Sequence, residues 1–163
     1  MRTPLTQLRT LLARFLDLTV IGLITMLVLD VLWQVASRYV ARQPSAWTDE
    51  LATLLVIWLA LLGASAAFGR NAHLGMDFLT QHLSPQQRRI TEGLAHLMVA
   101  AFAALILILG GIHLVHLTWL TNQVSPALGV KMGHVYLALP ISGTFILIFA
   151  LENLIATLRQ KAH

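Results

Sequence analysis

Four stretches of this sequence run for twenty or more residues with almost no charge, at roughly 15–37, 47–69, 94–119 and 135–158. A helix needs about twenty apolar residues to cross a hydrocarbon core about 30 Å thick, so each stretch is long enough to span a bilayer. Lipid offers the backbone no hydrogen-bond partners, which leaves the α-helix as the form open to segments this uniformly apolar. The expectation is an all-α membrane protein with four transmembrane helices. Only 11% of the 163 residues are charged and 57% are hydrophobic, where a soluble domain carries about 25% charge. A single membrane domain, 1–163, accounts for the whole chain.

The basic residues fix an orientation. With the N-terminus in the cytoplasm, Arg2, Arg9, Arg14, Arg70, Arg88, Arg89, Arg159 and Lys161 lie inside, and only Arg38, Arg42 and Lys131 outside. The positive-inside rule therefore places both termini in the cytoplasm. These cations sit in tails and connections and never interleave with aromatics on one face, so the net charge of +4 does not point to nucleic acid. The absence of cysteine excludes disulfides, iron–sulfur clusters and covalently attached haem. The basic, lightly amphipathic start, with Leu5, Leu8, Leu12 and Phe15 at helical spacing, suits the inner membrane surface ahead of the first span. The run that follows is too long for a signal peptide and reads as an uncleaved span.

The most informative polar stretch runs from Asp30 to Glu50. Asp30, Gln34 and Arg38 share one face of the first span, so the carboxylate can pair within its helix or turn to a partner helix. Pro44 and Ser45 break the chain, and Ser45 or Thr48 can cap the next helix. Asp49 and Glu50 then fall in its first turn, where the helix dipole stabilises an acid by roughly 0.3–1 kcal/mol. Trp33, Tyr39 and Trp47 bracket the segment as interfacial aromatics. Arg38 with Asp49 and Glu50 fits either an internal clasp or a docking patch. In the second span Ala60, Gly63, Ala64 and Ala67 form overlapping small-residue pairs that allow another helix to come close.

Between the second and third spans, Leu74, Phe78, Leu79 and Leu83 predict a short interfacial helix in the cytoplasmic connection, with His73, Asp77, Gln81 and His82 on its other faces. Ser84-Pro85-Gln86-Gln87 predicts the start of a helix that runs on through the third span, long enough to tilt or protrude. That span carries Ala100, Ala103, Ala104, Gly110 and Gly111 as packing positions. Residues 122–134 form a Pro- and Gly-punctuated connection, and Pro140 predicts a bend in the fourth span.

No phosphate loop, nucleophile elbow or metalloprotease motif is present, and the chain does not read as an enzyme. Haem b in a helical bundle needs two histidines at one depth on facing helices. Here His96, His113 and His116 share the third span, so a haem-binding anchor of a respiratory oxidoreductase is the alternative reading. His73 and Asp77 at i, i+4 suit a polar helix face better than a two-ligand metal site. Asp30 and Glu152 fit carboxylates that pair near helix ends, as Asp17 does with Arg14, better than a coupling-ion site, which uses broken helices and repeat symmetry. No cofactor, metal or substrate ligand is expected.

The order Arg38-Tyr39-Val40, Pro44, Trp47, Asp49-Glu50, Gly63, His73 with Asp77, Pro126-Ala127-Leu128, and Tyr136 before Pro140 resembles the small membrane subunit of tripartite ATP-independent periplasmic (TRAP) transporters over nearly the whole chain. Ser142 stands where a Gly or another small residue follows the Pro. The resemblance implies a multi-pass subunit of the bacterial inner membrane, serving sodium-driven uptake of small organic anions such as carboxylates or sialic acid. It implies a large membrane subunit that holds the transport path and a periplasmic substrate-binding protein that visits the complex. The Trp47–Glu50 helix start and the small-residue faces would then meet the large subunit, or lipids wedged against it.

Overall fold

The structure, a computed structural model, describes residues 4–41, 46–70 and 85–159. The predicted interfacial helix, with His73 and Asp77, lies outside the described residues, as do Pro44 and Ser45. Among the described residues there is no strand, only an isolated bridge between Val124 and Lys131.

Helix α1 spans Pro4–Ala36 and continues as a π-helical turn over Ser37–Ala41. The N-terminal segment is therefore one helix with the first span and does not turn along the membrane surface. Nothing between Leu5 and Phe15 breaks a helix, so the helix propagates from Pro4. Helix α2 spans Ala46–Gly69. Helix α3, Pro85–Phe102, leads through a π-helical stretch at Ala103–Gly110 into α4, Gly111–Leu120. From Pro85 to Leu120 this element measures ~54 Å at 1.5 Å per residue, well beyond the hydrocarbon core. A short helix α5, Met132–Tyr136, precedes α6, Ala138–Arg159. The break falls at Leu137, just before Pro140, because the proline has no N–H to give the carbonyl one turn earlier and its ring crowds that carbonyl. Pro140 thus sits in the first turn of α6, where its missing donor costs least.

Four helical segments are long and apolar enough to cross a membrane: Arg9–Val40, Ala46–Gly69, Ile90–Leu120 and Met132–Thr157. They do not close into a barrel-like bundle. Helix α1 lies along α2, α2 along α6, and α6 along α3 and the π-helical stretch. Where α1, α2 and α6 meet, Leu16, Leu62, Ala66 and Phe149 form the apolar core, with Leu12, Trp58 and Phe145 packed on it. Between α2 and α6 the Ser65 hydroxyl bonds the Leu61 carbonyl and reaches the Ser142 carbonyl of α6 at 3.2 Å. Ser142 is fully buried and its own hydroxyl is satisfied by the Leu139 carbonyl, which is how a serine is accommodated there.

Small residues set the approach of the third and fourth spans, as their abundance suggested. Ala100, Ala103 and Gly111 are buried in this contact, whereas Gly110 is exposed. A Cβ on Gly143 would come within 2.6 Å of Leu107 Cβ, and one on Gly111 within 2.9 Å of Leu139 Cβ and Pro140 Cδ. Overpacking of this kind typically costs about 1–3 kcal/mol. Gly143→Ala is therefore expected to lower the unfolding temperature of the detergent-solubilised chain by several degrees. Gly93→Ala, at a position with no atom within 4 Å of the new methyl, should not lower it. Circular dichroism melts of the two variants give the comparison.

Candidate functional site

The polar groups gather at the two ends of the helices. At the end carrying the chain termini, Arg9 of α1 donates to the Gly69 carbonyl at the C-terminus of α2, at 3.0 Å, and lies 3.9 Å from Glu152 of α6. A cation at a helix C-terminus meets both orphan carbonyls and the negative end of the dipole. Arg70 pairs with Asp17 of α1, which therefore does not pair with Arg14. Sequence reasoning paired Asp17 with the cation nearest along its own helix, and no local signal marked Arg70 or Arg9 for contacts this distant in sequence.

The other end is built around Glu50. Helix α4 ends with Asn122 in the left-handed region at φ 46°, and the amides of Asn122 and Gln123 bond back to the carbonyls of Trp119 and Thr118. Asparagine tolerates that conformation, and the two bonds satisfy carbonyls the helix end would otherwise orphan. The chain then forms a single turn at Ser125–Gly129, closed by the Gly129 amide on the Ser125 carbonyl at 3.0 Å. Gly129 is left-handed too, at φ 66°, which suits a residue without a Cβ. Pro126 has no N–H, and the next two amides of the turn, Ala127 and Leu128, donate to Glu50 Oε2 at 2.9 and 2.8 Å. The Ser125 hydroxyl donates to the same oxygen. One carboxylate oxygen on α2 thus caps a turn more than seventy residues away, doing for it what an N-cap side chain does within a helix.

Beside this clasp, Gln34 of α1 donates to Asp49 of α2. Asp30, one turn before Gln34, is 6% exposed, and neither of its carboxylate oxygens has a hydrogen-bond partner. Its electrostatic neighbour is Asp49. The clasp considered between Arg38 and the two acids does not form: Arg38 is exposed and has no ion pair among the described residues, while Gln34 and the 125–128 turn take its place. Thr48 lies inside the first turn of α2 and is fully buried. Trp33, Tyr39 and Trp47 are exposed around this end, as interfacial aromatics are. Ala60, Ala64 and Ala67 are exposed, and Gly63 has no atom within 4 Å of where a Cβ would stand.

An open cleft of about 410 Å³ lies between Glu50, Thr53, Gln123, Ser125 and Met132, and among the described residues Glu50 is its one ionisable lining group. Among the described residues no group of three metal-ligating side chains exists. His96 is buried in α3, His113 and His116 are exposed on α4, and His134 stacks edge-on against Trp119 with centroids 6.0 Å apart. Among the described residues these histidines form no facing pair, and the geometry around Glu50 is that of a structural clasp.

The family model described as "Tripartite ATP-independent periplasmic transporters, DctQ component" matches residues 27–160. The sialic acid TRAP transporter small permease protein SiaQ of Vibrio cholerae is 26% identical over 92% of this chain and 85% of its own length. The C4-dicarboxylate TRAP transporter small permease protein DctQ of Rhodobacter capsulatus is 31% identical over 61% of this chain and 44% of its own. The sialic acid TRAP transporter permease protein SiaT of Haemophilus influenzae is 36% identical over 40% of this chain but only 11% of that longer protein.

Removing the Glu50 charge tests the clasp. Hydrogen bonds to a charged group contribute about 1.5–3 kcal/mol, so Glu50→Ala is expected to speed amide exchange at Ala127 and Leu128 at least tenfold. Thr53→Ala, one turn along, should leave those amides protected, as hydrogen-exchange mass spectrometry can show.

Proposed function

We infer the role of this chain from its family: it belongs to the DctQ components of tripartite ATP-independent periplasmic transporters, and it acts as the small membrane subunit of a sodium-driven uptake system for small organic anions. It sits in the bacterial inner membrane with both termini in the cytoplasm, so the Arg9–Glu152 end faces inward and the Glu50 clasp outward. In that orientation Arg9 and Arg70 fall on the side the positive-inside rule assigns them. The large permease subunit holds the transport path, and a periplasmic substrate-binding protein delivers the anion to the outer face.

The observation that carries this reading is how little of each span is covered. Only 11%, 22%, 28% and 33% of the residues in the four spanning windows are buried within the chain. Helices that enclose so little surround no solute path, and a carrier needs polar groups converging near the membrane midplane. Here the Ser65 hydroxyl on the Ser142 carbonyl is a pairwise contact between α2 and α6, not a convergence of polar groups. The uncovered faces instead suit a scaffold that widens a larger partner. Anions of the carboxylate class are the proposed cargo because the relatives are named for sialic acid and for C4-dicarboxylates.

Reconstitution tests the division of labour. Vesicles holding this chain together with its large subunit and binding protein should accumulate labelled carboxylate on a sodium gradient, and vesicles holding this chain alone should not. Uptake by the isolated chain would overturn the reading, as would a purified complex with no second membrane polypeptide.

A further inference from the structure

Hydroxyls along the first span bond within their own helix. Those of Thr19, Thr25 and Ser37 donate to the carbonyls of Phe15, Ile21 and Gln34, each at 2.9 Å. Such a bond needs a hydrogen on the side chain, which an ionised carboxylate lacks. Asp30 lies among these residues and is treated differently. It is more than nine-tenths buried, and neither of its carboxylate oxygens has a hydrogen-bond partner.

The groups around Asp30 do not compensate a charge on it. Helix α1 packs along α2, and the ionisable group that α2 sets near Asp30 is a second acid, Asp49, held by the Gln34 amide. Glu50, the next residue, is committed to the 125–128 turn. On its own helix the nearest cation in sequence is Arg38, two turns on, which is exposed and has no ion pair among the described residues. An ionised Asp30 would put an uncompensated charge inside a membrane span, which costs far more than burying a neutral polar group. The neutral acid avoids that charge and regains a hydrogen to donate.

We propose that Asp30 is a proton-binding site: the fold holds it as the neutral carboxylic acid at neutral pH, and loss of the proton turns it out of the α1–α2 contact. The proton sits on one Asp30 oxygen, and that O–H donates to a carbonyl one turn back on α1, as the Thr25 hydroxyl does. When the proton leaves, nothing remains to donate, and the like charge of Asp49 drives the carboxylate towards water. Gln34, one turn on along the same face, moves with it and releases Asp49. The Glu50 end of the α1–α2 contact is thereby the pH-sensitive part of the chain. A metal ion is the poorer occupant, because among the described residues no three metal-ligating side chains come together. The site lies within this chain, so it does not depend on the subunit reading above.

Infrared difference spectroscopy of the full chain in lipid bilayers, wild type against Asp30→Asn, tests this. At neutral pH the wild type is expected to show the carbonyl stretch of a protonated carboxylic acid that Asp30→Asn lacks, and the band should vanish only as the pH is raised. Asp30→Leu gives the same comparison should the Asn amide itself prevent folding. Melting supplies a second readout. A buried acid that keeps its proton in the folded chain and loses it in the unfolded one makes stability fall as pH rises. The margin by which Asp30→Asn melts above wild type should therefore grow by several degrees between about pH 5 and about pH 9. A wild-type spectrum without the band, a band that both variants leave in place, or a margin constant with pH overturns the proposal. So does a band lost on adding sodium chloride at fixed pH, which assigns the site to a metal ion. A band present in the isolated chain and absent from the complete transporter overturns it too, since an ionised Asp30 would then pair with a partner's cation.

Discussion

The contact on which the Glu50 end of this protein depends is a single carboxylate oxygen. Glu50 Oε2 takes three donors from the 125–128 turn, and that turn is the join between the third and fourth spans. Hydrogen bonds to a charged group contribute about 1.5–3 kcal/mol, more than bonds between neutral groups. The carboxylate holds the turn by such bonds and also fixes where the helical hairpin sits relative to α2. A proline at 126 contributes by removing an N–H that would otherwise need a fourth partner. At the opposite end the same logic runs in reverse: a cation, Arg9, meets the bare carbonyl of Gly69. Acid at one end of α2 and base at the other both follow the helix dipole, which is why a helix with so few polar residues can be held firmly at each tip.

The helices themselves were legible, because apolar runs of that length admit one structure in lipid. So was the importance of Glu50 and of Pro126-Ala127-Leu128, but as separate landmarks. Nothing local announces that an acid in one helix start caps a turn more than seventy residues later. Charges invite pairing by sign and nearness in sequence, and that habit put Arg38 with Asp49 and Glu50 and Arg14 with Asp17. The structure prefers an amide to a guanidinium at Asp49, through Gln34, and a set of backbone donors at Glu50. Backbone N–H groups are invisible to a charge-based reading, yet they outnumber side-chain donors everywhere. The break in the fourth span was foreseen at Pro140 but falls at Leu137, because the proline disturbs the turn that precedes it.

The small residues divide in a way composition alone does not reveal. In the third and fourth spans they are consumed internally: Gly111 abuts Leu139 and Pro140, and Gly143 abuts Leu107. In the second span a Cβ on Gly63 would meet no atom within 4 Å, and its alanine neighbours are exposed. Both sets look alike in sequence, since both are small residues on apolar helices. What separates them is which face already has a bulky neighbour, and that depends on α6 lying on one side of α2 and not the other.

An open arrangement of helices is costly for a protein that works alone, because lipid then contacts faces that gain little from it. It is the expected form for a part whose remaining faces belong to something larger. With no strong hydrophobic force between helices in a bilayer, association rests on close packing and on the pairing of polar groups. Helix α2 offers both along a single line, a short-side-chain groove and an acid at its head. The α1–α2–α6 core and the two polar ends hold α2 in place through Gln34 and Glu50 while Ala60, Ala64 and Ala67 stay exposed.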